Sequence, residues 1–217
     1  MNVLGISGSP IPNSNTDRAV QAVLGATGLD SEFIKLTRLQ VAPCRACLGC
    51  VKTNRCVIPD DGIDLAEKVK AADAVVVGCY TPYSTIDSRT KAFLERLYPL
   101  RHQYGFLHGK PVAAVVTSAI PPATQGMPPA GDMGVNAVRF FALEEGMNFV
   151  GAVTQIGNVP CFRCGSESDC ETSGLKMIHG PLATLDSVGA NCFEESEVAR
   201  AAAEALGRTI REALGAR

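Results

Sequence analysis

Tryptophan is absent from the 217 residues, and Phe and Tyr bring the aromatic share to only 6%. A stacking platform for single-stranded nucleic acid is therefore not expected. Charge of either sign is also not in excess. With 20 Lys and Arg against 22 Asp and Glu the formal charge is -2, which leaves no basic footprint for nucleic acid or for anionic lipid. No apolar run reaches the roughly 18 residues that span a bilayer, and residues 1–6 carry no basic n-region. A cytoplasmic protein with neither nucleic-acid nor membrane partners is the expectation.

Cysteine, by contrast, is abundant. Nine cysteines in a chain of this kind need a reason, because reducing compartments disfavour structural disulfides and leave metal binding or redox chemistry as the usual causes of clustering. Seven of the nine fall into two clusters. The length suits one domain over residues 1–217, with room for insertions and for a sizeable core.

The hydrophobic pattern alternates strands with helices. Residues 3–6 read as a short apolar strand, closed by Ser7-Gly8-Ser9-Pro10 and followed by a helix from about Ser14 to Ala26. A second strand is read at 32–36. A helix at 64–72 follows, with Asp60 or Asp61 as its N-cap. Residues 74–79 and 112–117 are uniformly apolar and β-branched, as in central parallel strands covered on both faces. Helices at 88–97 and 135–146 and a strand at 149–156 complete the pattern, which implies a parallel, doubly wound α/β sheet with right-handed crossovers. Residues 157–190 break the rhythm and read as an ordered insertion before a final helix at about 193–214.

Ser7, Gly8, Ser9, Ser14, Asn15 and Thr16 stand where the first strand gives way to the first helix. Hydroxyls and free N–H groups there face the positive end of a helix dipole and can bind a phosphate. Ordinary turn and capping roles explain the same residues equally well. Ligands of doubly wound sheets sit beyond the carboxyl ends of the strands, which is where residues 80–86 and 117–120 must lie. Tyr83 reads there as a ligand-facing ring or as a half-buried tyrosine, and Cys79 as a small buried hydrophobe.

Cys44, Cys47, Cys50 and Cys56 form C-x2-C-x2-C-x5-C within one loop. Thiolates this close in sequence can ligate a [4Fe–4S] cluster or a tetrahedral Zn, and thiols free of metal are the remaining reading. Cys161, Cys164 and Cys170 make C-x2-C-x5-C inside the insertion, with Cys192 and His179 as candidate fourth ligands. A long loop without hydrophobic period needs a staple, and a second centre, Fe–S or Zn, would be one.

The stretch Gly8-Ser9-Pro10 through Asn15-Thr16, the segment Tyr80 to Ile86 and the first cysteine motif together resemble the iron–sulfur flavoproteins of the NADPH-dependent FMN reductase superfamily. The resemblance spans roughly residues 2–156. It implies a flavodoxin-like three-layer sandwich with strand order 2-1-3-4-5, a Cys-rich cluster loop at 40–60 after the second strand, and the insertion at 157–190 after the fifth. It further implies an FMN site built from Ser7, Ser9, Pro10, Ser14, Asn15, Thr16, Thr81, Pro82, Tyr83, Ser84, Thr85, Ile86, Thr117, Ser118 and Ala119. Ile11 stands where relatives often carry a basic residue, so backbone N–H groups, hydroxyls and Arg18 would meet the phosphate charge. FMN rather than FAD is expected, as no G-x-G-x-x-G follows the first strand.

Implied too are a [4Fe–4S] cluster on Cys44, Cys47, Cys50 and Cys56, and electron flow from ferredoxin or NAD(P)H to a small acceptor such as O2, H2O2 or a quinone. Assembly into a homodimer or homotetramer would bring one chain's cluster to another's flavin. Two other readings stand beside this one: an NAD(P)H-dependent FMN or quinone reductase with structural Zn, and a redox-sensing binding module.

Overall fold

The computed structural model describes residues 1–166 and 169–215. Strands β1 (Asn2–Ser7), β2 (Asp30–Lys35), β3 (Ala74–Tyr80), β4 (Pro111–Ser118) and β5 (Asn148–Ile156) form an all-parallel sheet in the order β2-β1-β3-β4-β5. This is the flavodoxin-like order expected from the resemblance. Along the central strands successive side chains enter opposite cores: Val75 and Val77 of β3 pack on one face and Val76 on the other, and Val112, Ala114 and Val116 of β4 oppose Ala113 and Val115. Burial on both faces is why these segments read as unbroken apolar runs.

Helices α2 (Gly62–Ala71), α3 (Ser88–Glu95) and α4 (Ala130–Glu144) cover one face through Leu65, Val69, Phe93, Leu94, Val135 and Val138. Helices α1 (Asn15–Thr27) and α8 (Glu197–Gly215) cover the other through Val20, Val23, Leu206 and Ile210. The latter two approach closely at Gly207, where an added Cβ would lie 2.6 Å from the carbonyl oxygen of Val23. Edge strand β5 carries a bulge opposite Val112 and Ala113, a device that bends an edge away from further pairing.

The insertion is more ordered than its composition suggests. Its described residues contain three short helices, α5 (Cys161–Cys164), α6 (Gly174–His179) and α7 (Leu185–Val188). Its base is closed by amides: Asn191 N–H donates to Asn158 Oδ1 (2.7 Å), Asn158 Nδ2 to the Asn191 carbonyl (2.9 Å) and Asn191 Nδ2 to the Gly157 carbonyl (3.1 Å). Leu175 and Val159 are buried within it. Side-chain amides and a few apolar residues thus help to hold the insertion in place.

Candidate flavin loops and cysteine pocket

Three loops meet at the carboxyl end of the sheet. Ser14 caps α1 with a reciprocal bond to Asp17: Asp17 N–H donates to Ser14 Oγ (3.1 Å), and Ser14 N–H donates to Asp17 Oδ2 (3.1 Å). The N–H groups of Asn15 and Thr16, the first two of the helix, meet no acceptor in the described residues. These are free donors at the positive end of a helix dipole, the arrangement that binds a phosphate. Gly8 has no room for a side chain, since a Cβ would lie 2.0 Å from Thr90 Oγ1 and 2.7 Å from Asp87 Oδ1. The loop is thus pressed against the start of α3, where Asp87 accepts from Thr90 N–H (2.9 Å).

Beneath this loop lies a buried ionic network. Lys35 Nζ donates to both carboxylate oxygens of Asp17 (2.8 and 2.6 Å) and to the Ile11 carbonyl (2.8 Å), and Ser7 Oγ donates to Asp17 Oδ1 (2.5 Å). Ser7 therefore faces the network behind the loop. Ser9 Oγ accepts from Ile11 N–H (3.4 Å), and Pro10 is exposed.

Asn15 and Arg18 are engaged from an unexpected direction. Asn15 Nδ2 donates to the Asn191 carbonyl (2.9 Å), and its Oδ1 accepts from Phe193 N–H (3.1 Å) and from Arg18 Nη2 (2.5 Å). Arg18 pairs with Glu194 at 2.8 Å. The returning end of the insertion thus occupies both side chains, leaving backbone N–H groups to meet a phosphate.

The other two loops join this one through hydroxyls. Thr16 Oγ1 donates to Thr117 Oγ1 (2.8 Å), which also accepts from Gln155 Nε2 (3.0 Å). Ser118 Oγ accepts from Ile120 N–H (3.1 Å) and shapes the turn that carries Ala119. After β3, Thr81 buries an Oγ1 with no partner among the described residues, while Ser84 and Ile86 are buried and Pro82 and Thr85 are partly or fully exposed. Tyr83 is 100% exposed at φ 52° and Ser84 follows at φ 61°. Two left-handed non-glycine residues in succession are costly, and such strained segments cluster at ligand-binding and active sites. Free helical N–H groups, an orphaned hydroxyl and an uncovered aromatic ring together fit a phosphate-bearing planar cofactor.

Cys44, Cys47, Cys50 and Cys56 line one pocket together with Ile58, Arg96, Tyr98 and Pro99. The loop that carries them is held in shape by left-handed residues Ala46, Leu48 and Asn54, and is pinned where Asn54 Nδ2 donates to the carbonyls of Pro99 (2.8 Å) and His102 (2.5 Å). Cys44 and Cys47 are exposed and Cys50 is buried, 3.4 Å from His102 Nε2. Burial raises the Cys50 thiol above its ordinary pKa, and the three other cysteines add to the rise against a lowering by its own backbone N–H.

Among the described residues no group of three or more His, Cys, Asp or Glu is gathered closely enough to hold a metal ion. Four thiols lining one pocket are the donor set that an iron–sulfur cluster or a zinc ion takes. The wall supplies a further sign. Arg96 is 1% exposed and its Nε–H has no acceptor among the described residues, a state costing about 1–3 kcal/mol unless the pocket receives one.

Asp60 and Asp61, expected as caps of α2, serve mainly this loop. Asp60 Oδ1 accepts from Gly62 N–H (2.9 Å) but its carboxylate chiefly pairs with Arg96, and Asp61 Oδ2 accepts from Gln40 N–H (2.7 Å). The second cysteine motif is dispersed in its contacts. Cys161 Sγ lies 3.7 Å from Ser173 Oγ, Cys164 is exposed, Cys170 is partly buried, and Cys192 meets Glu194 (2.9 Å) and Arg18 (3.6 Å). His179 instead lines a cleft with Pro121, Ile156 and Leu182.

The sheet order and the three loops define a flavodoxin-like protein. A family model described as NADPH-dependent FMN reductase matches residues 1–126, and the chain belongs to that family. It is 36% identical over 123 residues to an iron-sulfur flavoprotein of Methanocaldococcus jannaschii, covering 55% of this chain and 63% of the relative. To an iron-sulfur flavoprotein of Methanosarcina thermophila it is 32% identical over 118 residues, covering 53% and 62%. The chain thus spans a little under two thirds of these relatives. Among solved structures, a flavodoxin from the domain Archaea superposes with a TM-score of 0.55 at 14% identity, covering 99% of both chains.

Proposed function

We propose that this protein is a cytoplasmic redox flavoprotein of one domain. FMN is held by the loops after β1, β3 and β4, and a [4Fe–4S] cluster by Cys44, Cys47, Cys50 and Cys56. The observation that carries the reading is the gathering of all four thiols in one pocket of a chain whose phosphate-type loop belongs to an FMN family. The names of the two relatives, both iron-sulfur flavoproteins, support it. FMN exchanges one or two electrons and the cluster one at a time, so together they connect one-electron with two-electron partners. The protein's own part is placement: α1 N–H groups for the phosphate, the Tyr83 segment for the ring, and a half-sheltered thiol pocket at the far end of α3. Ferredoxin or NAD(P)H is the donor and a small molecule such as O2, H2O2 or a quinone the acceptor.

Anaerobic purification followed by iron, zinc and flavin assays tests the reading; zinc in place of iron, or flavin absent from folded, reconstituted protein, would sink it. Mass spectrometry of the released flavin must give FMN. The family match favours one second reading, a plain NAD(P)H-dependent reductase, which steady NAD(P)H turnover without ferredoxin would select. A homodimer or homotetramer is expected, with exposed Leu48 and Val57 beside the cysteine pocket as contact surface. Light scattering of the loaded protein decides it.

A further inference from the structure

Arg96 lies just past the end of α3 and is among the largest fully buried side chains of the protein. Its guanidinium reaches both arms of the cysteine loop. Nη1 donates to the Ala42 carbonyl (2.9 Å), two residues before Cys44, and to Asp60 Oδ2 (2.7 Å). Nη2 donates to Asp60 Oδ1 (2.8 Å) and to the Ile58 carbonyl (3.5 Å), two residues after Cys56. Gly62 leaves space for this, since a Cβ there would lie 2.9 Å from the guanidinium carbon. The remaining donor, Nε–H, is buried without a partner among the described residues. Arg96 and Cys56 line the same pocket.

We infer that Arg96 is a positioning and tuning residue for the cluster: it ties the two ends of the cysteine loop together and gives its Nε–H to the ligating sulfur of Cys56. One-electron reduction adds a negative charge to a cluster, and hydrogen bonds to its sulfurs and nearby positive charge stabilise that form and raise the potential. An arginine is suited to both tasks at once, because its planar fork bonds the carboxylate bidentately and leaves the Nε–H directed elsewhere. The inference rests on the cluster reading proposed above. It adds a donor that none of the four ligands provides.

The test uses loaded protein grown with 15N-arginine and reduced by one electron per cluster, examined by pulsed electron paramagnetic resonance. A 15N coupling to the cluster is expected in the wild type. It should persist in Arg45→Gln/Arg55→Gln, which removes the exposed arginines beside the ligands, and vanish in Arg96→Lys. Where Arg96→Lys keeps its iron, its reduction equilibrium should shift at least tenfold toward the oxidised form, about 59 mV for one electron. No coupling in the wild type, a coupling that disappears with Arg45 and Arg55, or an unchanged potential in iron-loaded Arg96→Lys would overturn the inference. Should Arg96→Lys lose its iron, the wild-type and double-variant spectra decide alone. A preparation that never holds an iron–sulfur cluster is a different result, since it rejects the cluster reading itself.

Discussion

Replacing Lys35 by Met should expose how much of the phosphate-type loop depends on the ion pair beneath it. The Lys35 and Asp17 side chains are 8% and 3% exposed, so removal of the cation leaves a carboxylate buried with only the Ser7 hydroxyl and the Ser14 N–H to satisfy it. Stranding one partner of a buried pair costs about 3–5 kcal/mol. In a protein of this size each kcal/mol moves the melting temperature by about 2–4 °C, so Lys35→Met should melt roughly 6–20 °C lower. The double variant Asp17→Asn/Lys35→Met should recover part of that loss, because the stranded charge is gone and the one amide oxygen can still accept from Ser7 or from Ser14. Thermal unfolding of the metal-free, flavin-free proteins measures both. If the single and double variants melt together, or if Lys35→Met melts with the wild type, the network does not bear the load assigned to it. Flavin retained per chain should fall in Lys35→Met as well, since the Ile11 carbonyl loses its donor.

Cys47→Ser and Cys50→Ser should each lose the cluster's iron and keep FMN, because the two sites use different loops; full iron in both would show that the ligand set is wrong. Gly8→Ala should cost about 1–3 kcal/mol as an overpacked contact and lower flavin content, given the 2.0 Å approach to Thr90 Oγ1. Unchanged flavin content and melting would contradict this. Burial tends to raise the Asp60 carboxyl, but hydrogen bonds from Arg96, Ala42 and Gly62 outweigh it and hold the group below its ordinary 3.8. The stability it contributes is complete above that pH and is lost as pH falls through the depressed folded value. In metal-free protein below pH 3.8, urea midpoints should therefore fall less steeply for Asp60→Asn than for the wild type. The Cys79 thiol is pushed far up by burial and by the Asp87 charge, so peptide mapping after alkylation should find it modified only in unfolded protein.

What the sequence made legible was local. Val75 to Cys79 and Val112 to Val116 announce central strands because both of their faces are covered, and Ser14 announces a helix start because its cap partner Asp17 is three residues away. The cysteine loop was readable for the same reason, all four thiols lying within thirteen residues. Arg96 was not, since an arginine at the end of an amphipathic helix looks like a surface residue until Asp60 and the Ala42 carbonyl, 36 and 54 positions away, close around it. Lys35 and Asp17 were missed likewise: each is an ordinary polar residue at an element end, and only the pairing of Ser7 with Lys35 across β1 and β2 brings them together. The short helices of the insertion escaped because four to six residues carry too little of a helical period.

The hydrogen bonds from Asn15 to Asn191 and Phe193 join positions 176 and 178 residues apart. A ribosome adds about 5–20 residues per second, so the start of α1 leaves the tunnel roughly nine to thirty-six seconds before the segment that fixes its side chains. Throughout that interval Asn15 and Arg18 stand at the mouth of the phosphate-type loop without their eventual partners. The loop that would receive the flavin therefore reaches its final form only after all five strands have been synthesised, and cofactor capture and closure by the segment around Asn191 become neighbouring events in time.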